Sequence, residues 1–535
     1  MSDNGTTETV TLTIDGREVS VPKGTTLLEA AQSMGTTVPH YCYHPGLSSP
    51  AMCRLCLVEV EGAPKLQPSC VTQAMPGQVV HTHSDKSLDM RRGVLEFYLV
   101  NHPLDCPICD QSGECKLQDY VNKEGRGHGR SREPKRIFGR DDFGGDVLFY
   151  GDRCVMCTRC VRFMDEVHRD TRLTVVERGG RSVIDTFFER GLEGAAFAGN
   201  IVDICPVGAL VSKDFLHKAR AWDLDHTPSV CPNCSQGCNI ELHTRDNLVQ
   251  RLKPRENPQV NSFWMCDYGR LRYEWINHAD RLEVPRVRRG TGLVATDWSD
   301  ALGALYERVA AGNGGPVTLI ASPLASNEDL AALRRFGETL GGASTRVYRS
   351  RRTAEEIPLP GFPALVRRGQ LTPNERGADV LGFTRTGDDD GKGGLEAIRG
   401  GTVVILGDPL VDLPPGQLEG ADLVLYLGWY PSGVEAAADF VLPICTFAEM
   451  DGTFTNHEGR VQRFHKGLDE PGAARPAWFV LGAVEAALGD TESPARVDLA
   501  FERAGQVAPE FRGLTYLEIG DRGALLNEPI ELARG

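Results

Sequence analysis

Fifteen of the sixteen cysteines lie before residue 267, and with one histidine they form four sets of four candidate metal ligands. In chain order, the sets are Cys42, Cys53, Cys56 and Cys70; His102, Cys106, Cys109 and Cys115; Cys154, Cys157, Cys160 and Cys205; and Cys231, Cys234, Cys238 and Cys266. Thiolates on a short loop, joined by a more distant ligand, suit an iron–sulfur cluster, which is bound at several corners at once. Four such sets predict electron transfer.

Structural zinc is the main alternative at each set, because four cysteines, or three with a histidine, also bind zinc. Zinc sites usually present two C-x2-C pairs, or one pair and two histidines, and none of the sets has that form. The third set, C-x2-C-x2-C with a remote Cys205-Pro206, is typical of a [4Fe–4S] site. The first, C-x10-C-x2-C-x13-C, suits a variant [2Fe–2S] site. At the fourth, C-x2-C-x3-C-x27-C, zinc stays open.

Three histidines and one cysteine need separate interpretation. His102 stands four residues before Cys106, next to the stiff Pro103, and this favours ligation over a core or capping role. A neutral imidazole in place of a thiolate makes a cluster less negative and raises its reduction potential. His40 and His44 flank the first set; we expect solvated loop residues, with hydrogen bonds to a cluster as the alternative. Cys445 ends an apolar run and is predicted to be a core cysteine.

The composition is that of an ordinary globular protein, with a net charge of −15 that argues against nucleic acid as a partner. Residues 130–136 and 286–289 are basic; we expect solvated loops, with a docking patch for an acidic partner as the alternative.

No apolar run reaches the roughly 18–20 residues that span a bilayer. The start shows no signal or transit peptide, so we expect a bacterial cytoplasmic protein whose cysteines are metal ligands rather than disulfides.

The N-terminal elements indicate a β-grasp domain of the ferredoxin kind. Residues 10–21 alternate around an Asp-Gly turn, as in a β-hairpin, and Thr26 and Glu29 form a capping box before a helix. Strands are predicted at 57–60 and around Val79. A helix over 88–99 would deliver His102 to its set, and residues 121–150 are predicted to form an irregular linker. The third and fourth sets lie in segments with little periodicity.

After about residue 280 the pattern changes to that of an α/β domain with an open, partly parallel sheet. Apolar runs at 317–321, 403–406 and 423–427 predict strands, and 327–340 and 478–488 predict helices. Residues 387–394 are expected to form a mobile loop. No dinucleotide or triphosphate motif occurs. The predicted domains are 7–84, 85–125, 126–222, 223–280 and 281–535.

The four spacings in this order closely resemble the large iron–sulfur subunit of bacterial NADH:quinone oxidoreductase, respiratory complex I. Residues 438–462, ADFVLPICTFAEMDGTFTNHEGRVQ, are similar to a recurring segment of molybdopterin oxidoreductases. The resemblance implies a multidomain α+β and α/β protein. It would comprise a β-grasp [2Fe–2S] domain, [4Fe–4S] domains and a shortened molybdopterin-oxidoreductase-like domain.

The resemblance also implies the cofactors and the role. The first set would hold one [2Fe–2S] cluster and the other three would hold [4Fe–4S] clusters, the fourth lying off the main path; no molybdopterin is expected. The chain would relay electrons from an NADH- and FMN-binding partner toward quinone, with no separate active site of its own. It would lie on the cytoplasmic side of the bacterial inner membrane, peripheral and held by other peripheral-arm subunits.

The alternative is the molybdenum-dependent catalytic subunit of an NAD-linked formate dehydrogenase, which has a similar N-terminal arrangement. Enzymes of that group typically place a lysine two residues after the last cluster cysteine, where this chain has Tyr268. The 269 residues after Cys266 are too few for complete pterin-binding domains, and no cysteine well before Cys445 is available to bind molybdenum. These features favour the electron carrier.

Overall fold

The computed structural model describes residues 8–527 except 187–188, 190, 313–314, 342, 415 and 490–491. The chain divides into two compact units, one of Met1–Leu224 with Leu359–Phe362 and one of Asp225–Pro358 with Pro363–Gly535. Two edges of the predicted domains, residue 7 and residues 528–535, lie outside the described residues. The division into five domains stays a prediction.

The first unit begins with the predicted β-grasp domain. Its elements are β1 (Thr9–Ile14), β2 (Arg17–Pro22), α1 (Leu27–Ser33), β3 (Leu57–Val60), β4 (Gln67–Pro68) and β5 (Val79–His81). The sheet order is β2-β1-β5-β3-β4, with β1 antiparallel to β2 and parallel to β5. The Thr26–Glu29 capping box is present at the start of α1, and this helix buries Leu27, Leu28 and Ala30 against the sheet. The hairpin, helix and strands predicted here are therefore confirmed.

Two helices lead into and out of the second cysteine set. They are α2 (Asp85–Leu99) and α3 (Lys116–Glu124). The helix α2 ends three residues before His102, as predicted. Arg91 of α2 and Glu124 of α3 form an ion pair at 3.2 Å, and both side chains are buried. Because an unpaired buried charge is costly, this pair fixes one helix against the other.

The remainder of the first unit is built of short elements. They are β6 (Arg140–Gly144), β7 (Val147–Tyr150), α4 (Arg159–Arg162), a π-helix (Phe163–His168), β8 (Leu173–Val176), β9 (Val183–Thr186), α5 (Asn200–Ile204) and β10 (Leu210–Ser212). Strands β10, β7 and β6 form one sheet in that order, and β8 and β9 another. The irregular linker predicted for residues 121–150 is wrong at both ends, since α3 continues to Glu124 and β6 and β7 form a hairpin.

The second unit opens with an antiparallel sheet that the sequence did not reveal. Its strands are β11 (Asp225–Val230), β12 (Asn239–Arg245) and β13 (Leu248–Pro254), followed by α6 (Asp267–Leu271). The fourth cysteine set lies at the ends of these elements: Cys231 follows β11, Cys238 precedes β12, and Cys266 caps α6. Regular elements thus flank this set, although its segments show little periodicity in the sequence.

The α/β domain is centred on an eight-stranded sheet of order β15-β14-β23-β22-β21-β16-β17-β20. The elements after α6 are β14 (Arg286–Arg289), β15 (Gly292–Ala295), α7 (Trp298–Ala310), β16 (Val317–Ala321), α8 (Asn327–Thr339), β17 (Ala343–Arg349), β18 (Ile357–Leu359), β19 (Phe362–Arg367), α9 (Glu375–Val380), β20 (Thr384–Thr386), β21 (Thr402–Leu406), β22 (Leu423–Gly428), β23 (Phe440–Pro443), β24 (Gly452–Thr455), β25 (Arg460–Phe464), α10 (Ala477–Leu488), α11 (Val497–Val507), α12 (Tyr516–Ile519) and β26 (Ala524–Leu525). From β23 to β20 in the sheet order, neighbouring strands are parallel, as the apolar runs predicted.

The two basic runs differ in structure. Residues 130–136 are exposed and irregular, as expected. The run 286–289 is not a loop, because it forms β14 beside β23. Arg286 pairs with Glu435 at 3.0 Å, and Arg288 donates to the Ala438 carbonyl at 2.9 Å. These partners are about 150 residues away in the chain, so tertiary contacts override the local polarity.

We predict that Arg281→Met strongly destabilises the second unit. Arg281 donates to Glu449 at 2.8 Å, and the two side chains are only 6% and 3% exposed. Removing one partner of such a pair leaves a buried charge and costs about 3–5 kcal/mol. Thermal unfolding should show a clear loss. The control Arg496→Met breaks an ion pair with Asp498 in which the arginine is 71% exposed, and we expect little change in the unfolding temperature. Equal effects would contradict the prediction.

Candidate metal centres

The structure brings the first set together beneath the β-grasp sheet. The sulfurs lie within hydrogen-bonding reach of one another, Cys42 with Cys53 and Cys70, and Cys56 with Cys70. All four side chains are buried, at 0–3% exposure. Arg54 adopts a left-handed conformation, with φ of 58°, in the loop between Cys53 and Cys56. This turn allows neighbouring cysteines to point toward one centre.

We expect the two histidines beside Cys42 to be solvated loop residues, but both are at least partly buried. His40 is only 8% exposed, its Nδ1 lies 2.8 Å from the Val38 carbonyl, and its ring packs edge-on against Tyr43. Burial lowers the pKa of His40 to about 4. His44 is half-buried, and its Nδ1 accepts from Gly46 N at 3.1 Å. The expectation is therefore wrong for His40, because α3 residues far along the chain cover it.

The second set gathers around a turn between α2 and α3. Cys109 and Cys115 are buried, whereas Cys106 is exposed. Nδ1 of His102 is buried and has no hydrogen-bond partner among the described residues. Burial, together with the charge of Arg153, lowers the pKa of His102 to about 4, so the imidazole is neutral at pH 7 and has a lone pair for a metal. These observations fit the predicted histidine ligand.

One glycine makes room for the second set. A Cβ on Gly208 would lie 2.2 Å from the sulfur of Cys109, closer than real contacts allow. Gly208 follows Cys205 of the third set by three residues. A side chain at this position would therefore displace a candidate ligand, and glycine is the residue that the close approach requires.

The third set lines a single cavity. Its four cysteines share this cavity with apolar side chains, among them Phe149, Ile184 and Leu210. Met156 and Thr158 have positive φ values of 52° and 58°, which fold the short loop so that its cysteines converge. Met156 N donates to the sulfur of Cys154 at 3.3 Å. An apolar cavity with thiols on its wall suits a cluster shielded from water.

The fourth set is buried within the second unit, at 3–4% exposure for all four cysteines. Gly269 N donates to the sulfur of Cys266 at 3.3 Å. A Cβ on Gly269 would lie 3.0 Å from the sulfur of Cys231 and 3.5 Å from that of Cys266. Gly237, between Cys234 and Cys238, has a φ of 64°. The backbone at Gly269 thus approaches two of the sulfurs closely.

The electrostatics of these thiols fit metal ligation. Burial raises the pKa of Cys115 to about 11 and the pKa values of Cys205 and Cys231 to about 12. Without a metal these side chains are neutral thiols at pH 7. A bound metal would supply the positive charge that stabilises thiolates in so dry an environment, and its binding would therefore be coupled to folding.

The first three sets are neighbours within the first unit. Burial raises the pKa of Cys157, and Cys53 of the first set is close enough to raise it further. The ring of Tyr98 lies near both, and its hydroxyl donates to the Cys53 carbonyl at 3.3 Å. Lys116, next to Cys115, donates its backbone N–H to the Pro206 carbonyl at 3.0 Å. The third set thus borders on both the first and the second.

The sequence interpretation overlooked three buried or half-buried arginines around the third set. Arg162 donates to the carbonyls of Cys42 and Cys157 at 2.6 and 3.3 Å. Arg159 donates to the Ile204 carbonyl at 3.1 Å, and Arg153 bonds Asp105. The available signal was the alternation of arginine and cysteine between residues 153 and 162. Guanidinium groups there hold the loops and offset the negative charge of thiolates.

Cys445 is a core residue, as predicted. Its side chain is 2% exposed, and its carbonyl accepts from Trp429 Nε1 at 2.8 Å. Burial raises the pKa of its thiol far above the usual range. A buried neutral thiol of this kind behaves as a small apolar side chain.

A further group of metal-ligand residues lies on the sheet β11-β12-β13. His226 and His243 stack with ring centroids 3.8 Å apart, and Glu241 lies 3.2 Å from Nε2 of His243. Arg251 Nε donates to Nδ1 of His243 at 3.0 Å. Since Nδ1 accepts this bond, the ring proton is on Nε2 and donates to Glu241. Hydrogen bonding satisfies both nitrogens of His243, and stacked rings do not aim their lone pairs at one point.

Five family models match successive parts of the chain. They are described as 2Fe-2S iron-sulfur cluster binding domain (residues 7–85), NADH-ubiquinone oxidoreductase-G iron-sulfur binding region (91–130), NADH-quinone oxidoreductase subunit 3, ferredoxin-like domain (144–211), Molybdopterin oxidoreductase Fe4S4 domain (224–278) and Molybdopterin oxidoreductase (417–487). Each of the first four contains one complete candidate ligand set. The matches indicate [2Fe–2S] and [4Fe–4S] clusters.

The mitochondrial NADH-ubiquinone oxidoreductase 78 kDa subunit of Candida albicans is 30% identical over an alignment of 619 positions, which covers 94% of this chain and 85% of that protein. The chain belongs to the family of this oxidoreductase subunit. The G subunit of NADH-quinone oxidoreductase from Rickettsia bellii is 39% identical over 333 residues, covering 62% of this chain and 48% of that protein. The chain thus matches about half the length of such bacterial relatives.

A solved structure titled as NAD+-reducing [NiFe]-hydrogenase in the H2-reduced state is 31% identical, with a TM-score of 0.36; the match covers 39% of this chain and 90% of that chain.

Family membership confirms the multidomain fold class with ferredoxin, [4Fe–4S] and molybdopterin-oxidoreductase domains. Among the described residues, no helix is long and apolar enough to cross a membrane.

We predict that Cys157→Ala removes about four iron atoms per chain, because a [4Fe–4S] cluster does not persist on three ligands in this loop. Iron analysis of the anaerobically purified chain measures this loss. Cys445→Ala is the matched control: it should keep all the iron and lower stability by roughly 1 kcal/mol, since only a small buried group is removed. Loss of iron from the Cys445 variant would contradict its assignment to the core.

Proposed function

We propose that this chain is the electron-transferring iron–sulfur subunit of an NADH:quinone oxidoreductase. Its sixteen candidate ligands would hold one [2Fe–2S] cluster at the first set and [4Fe–4S] clusters at the second, third and fourth. The observation that carries the proposal is that the four sets fall, in chain order, within the four matching iron–sulfur family domains. The chain contributes to an oxidoreductase without a separate active site of its own.

In this function the chain positions clusters and tunes their potentials. Iron–sulfur clusters accept and release single electrons. The contacts among the first three sets support a relay within the first unit, in which the third set links the first to the second. The surrounding side chains exclude water, and N–H groups aimed at sulfur, such as those of Tyr41 and Met156, stabilise the negative charge of the ligands.

The fourth set is proposed to lie off the main relay. Its cluster would serve mainly to fold the start of the second unit and support docking of neighbouring subunits. Zinc is the alternative occupant, since the spacing is less distinctive. The burial of all four cysteines is equally suited to either metal.

The partners and location follow from the same family. We propose that electrons arrive from an NADH- and FMN-binding subunit and leave toward quinone through other peripheral-arm subunits. The chain would be attached through these partners to the cytoplasmic side of the bacterial inner membrane. The formate dehydrogenase alternative is not favoured, because the relatives are subunits of NADH-quinone or NADH-ubiquinone oxidoreductases.

Metal analysis tests the proposal. One [2Fe–2S] and three [4Fe–4S] clusters predict about 14 iron atoms per chain. Iron, zinc, molybdenum and tungsten should be measured together on the anaerobically purified chain. A value near this iron content without molybdenum or tungsten supports the relay. Stoichiometric molybdenum or tungsten would contradict it, and about four fewer iron atoms with one zinc would assign zinc to one set.

A second prediction concerns the histidine ligand. His102→Cys should lower the reduction midpoint of the second cluster, because a thiolate adds negative charge where the neutral imidazole had none. Potentiometric titration followed by electron paramagnetic resonance measures the midpoint. His83→Cys is a suitable control, since this half-exposed histidine lies outside the four sets. An unchanged midpoint in the His102 variant would count against ligation by His102.

A further inference from the structure

Arg153 occupies an unusual position between two candidate clusters. It directly precedes Cys154 of the third set, so its backbone is part of that ligand loop. Its side chain turns toward the second set, where Nε and Nη2 donate to Asp105 at 3.1 and 3.0 Å. Asp105 in turn directly precedes Cys106. One residue thus ties the ligand loops of two sets together.

The environment of Arg153 holds its guanidinium in one orientation. Its Cζ lies 4.1 Å from the ring centroid of Tyr150, a cation–π contact. Nη1 lies 3.5 Å from the carbonyl of Gly208, the residue that leaves room for the sulfur of Cys109. Arg153 is only 4% exposed, so solvent screens its charge poorly.

Arg153 also lies beside a candidate ligand of the second set. A Cβ on Gly208 would lie 2.2 Å from the sulfur of Cys109 and 3.9 Å from Cδ of Arg153. The side chain of Arg153 and the sulfur of Cys109 thus flank the same glycine.

We propose that Arg153 raises the reduction potential of the second cluster through its buried guanidinium. The inference rests on the proposed function only in that the second set holds a cluster. Reduction adds one negative charge to the cluster, and a nearby positive charge stabilises the reduced state. Asp105 offsets this effect only in part, because its side chain is 37% exposed and Arg153 is 5% exposed.

The test compares Arg153→Gln with Arg153→Lys in the full, cluster-loaded chain. Midpoints are measured by potentiometric titration with electron paramagnetic resonance, and the signal of the second cluster is the one that Cys109→Ala removes. Arg153→Gln should shift that midpoint to a more negative value, and Arg153→Lys, which keeps the charge, should shift it less. The control is Arg140→Gln, because exposed Arg140 lies 5.4 Å from the same Tyr150 ring. In this variant the midpoint of the second cluster should not move.

An unmoved midpoint in Arg153→Gln, or equal shifts in the two Arg153 variants, would overturn the inference. If both variants lose iron, Asp105→Asn decides: removal of the opposing charge should shift the midpoint to a less negative value, and an unchanged or lower value would overturn the role of Arg153. A wild-type chain without a cluster at the second set would contradict the proposed function instead. Iron content and the Cys109→Ala spectrum separate these two failures.

Discussion

The cysteine-bearing part of the chain depends on the stabilisation of buried negative charge. Apart from exposed Cys106, its cysteines are buried or half-buried, and burial drives thiols such as Cys205 and Cys231 toward the neutral form. A thiolate in such a place needs a cation, which a bound metal would provide. The short loops contain left-handed residues such as Arg54 and Met156. Metal binding would therefore be coupled to folding in this part of the protein.

Basic side chains supply the remaining charge at these centres. The chain carries a net charge of −15, yet arginines concentrate where thiolates gather. Arg159 and Arg162 donate to backbone carbonyls around the first and third sets. Burial raises the pKa of the Cys234 thiol, and the nearby charges of Arg367 and Arg368 oppose this rise. A guanidinium bonded to the backbone keeps its charge fixed in place. Its position then affects both the loop and the redox energy of the cluster.

The sequence predicted those features that local chemistry determines. The Thr26–Glu29 pair identified α1, and continuous apolar runs identified β16, β21 and β22. Ligand spacing predicted the four sets, each of which lies within one matching family domain. Buried parallel strands have apolar residues on both faces, which makes such runs easy to recognise.

Features that depend on distant residues were not predictable. Strand β6 begins with three exposed polar residues and has no alternating pattern, although the buried run of β7 pairs with it. Strand β14 looks like a solvated basic run until Glu435 and Ala438 are brought beside it. His40 is buried through Tyr120, which is 80 residues away in the chain. Arg153 belongs to the same class, since its partner Asp105 is 48 residues earlier.

The α/β domain has a sheet topology that carries a ligand site in many proteins. Successive strands are added to one side of β16 up to β20 and then to its other side from β21 onward. Open parallel sheets usually bind ligands at such a change of direction. After β21, a Cβ on Gly407 would lie 2.6 Å from the Trp429 ring, which therefore packs directly on the backbone. After β16, buried Glu328 accepts hydrogen bonds from Thr453 and, at 2.7 Å, from the Tyr516 hydroxyl. The chain's own side chains therefore pack beside these two strand ends.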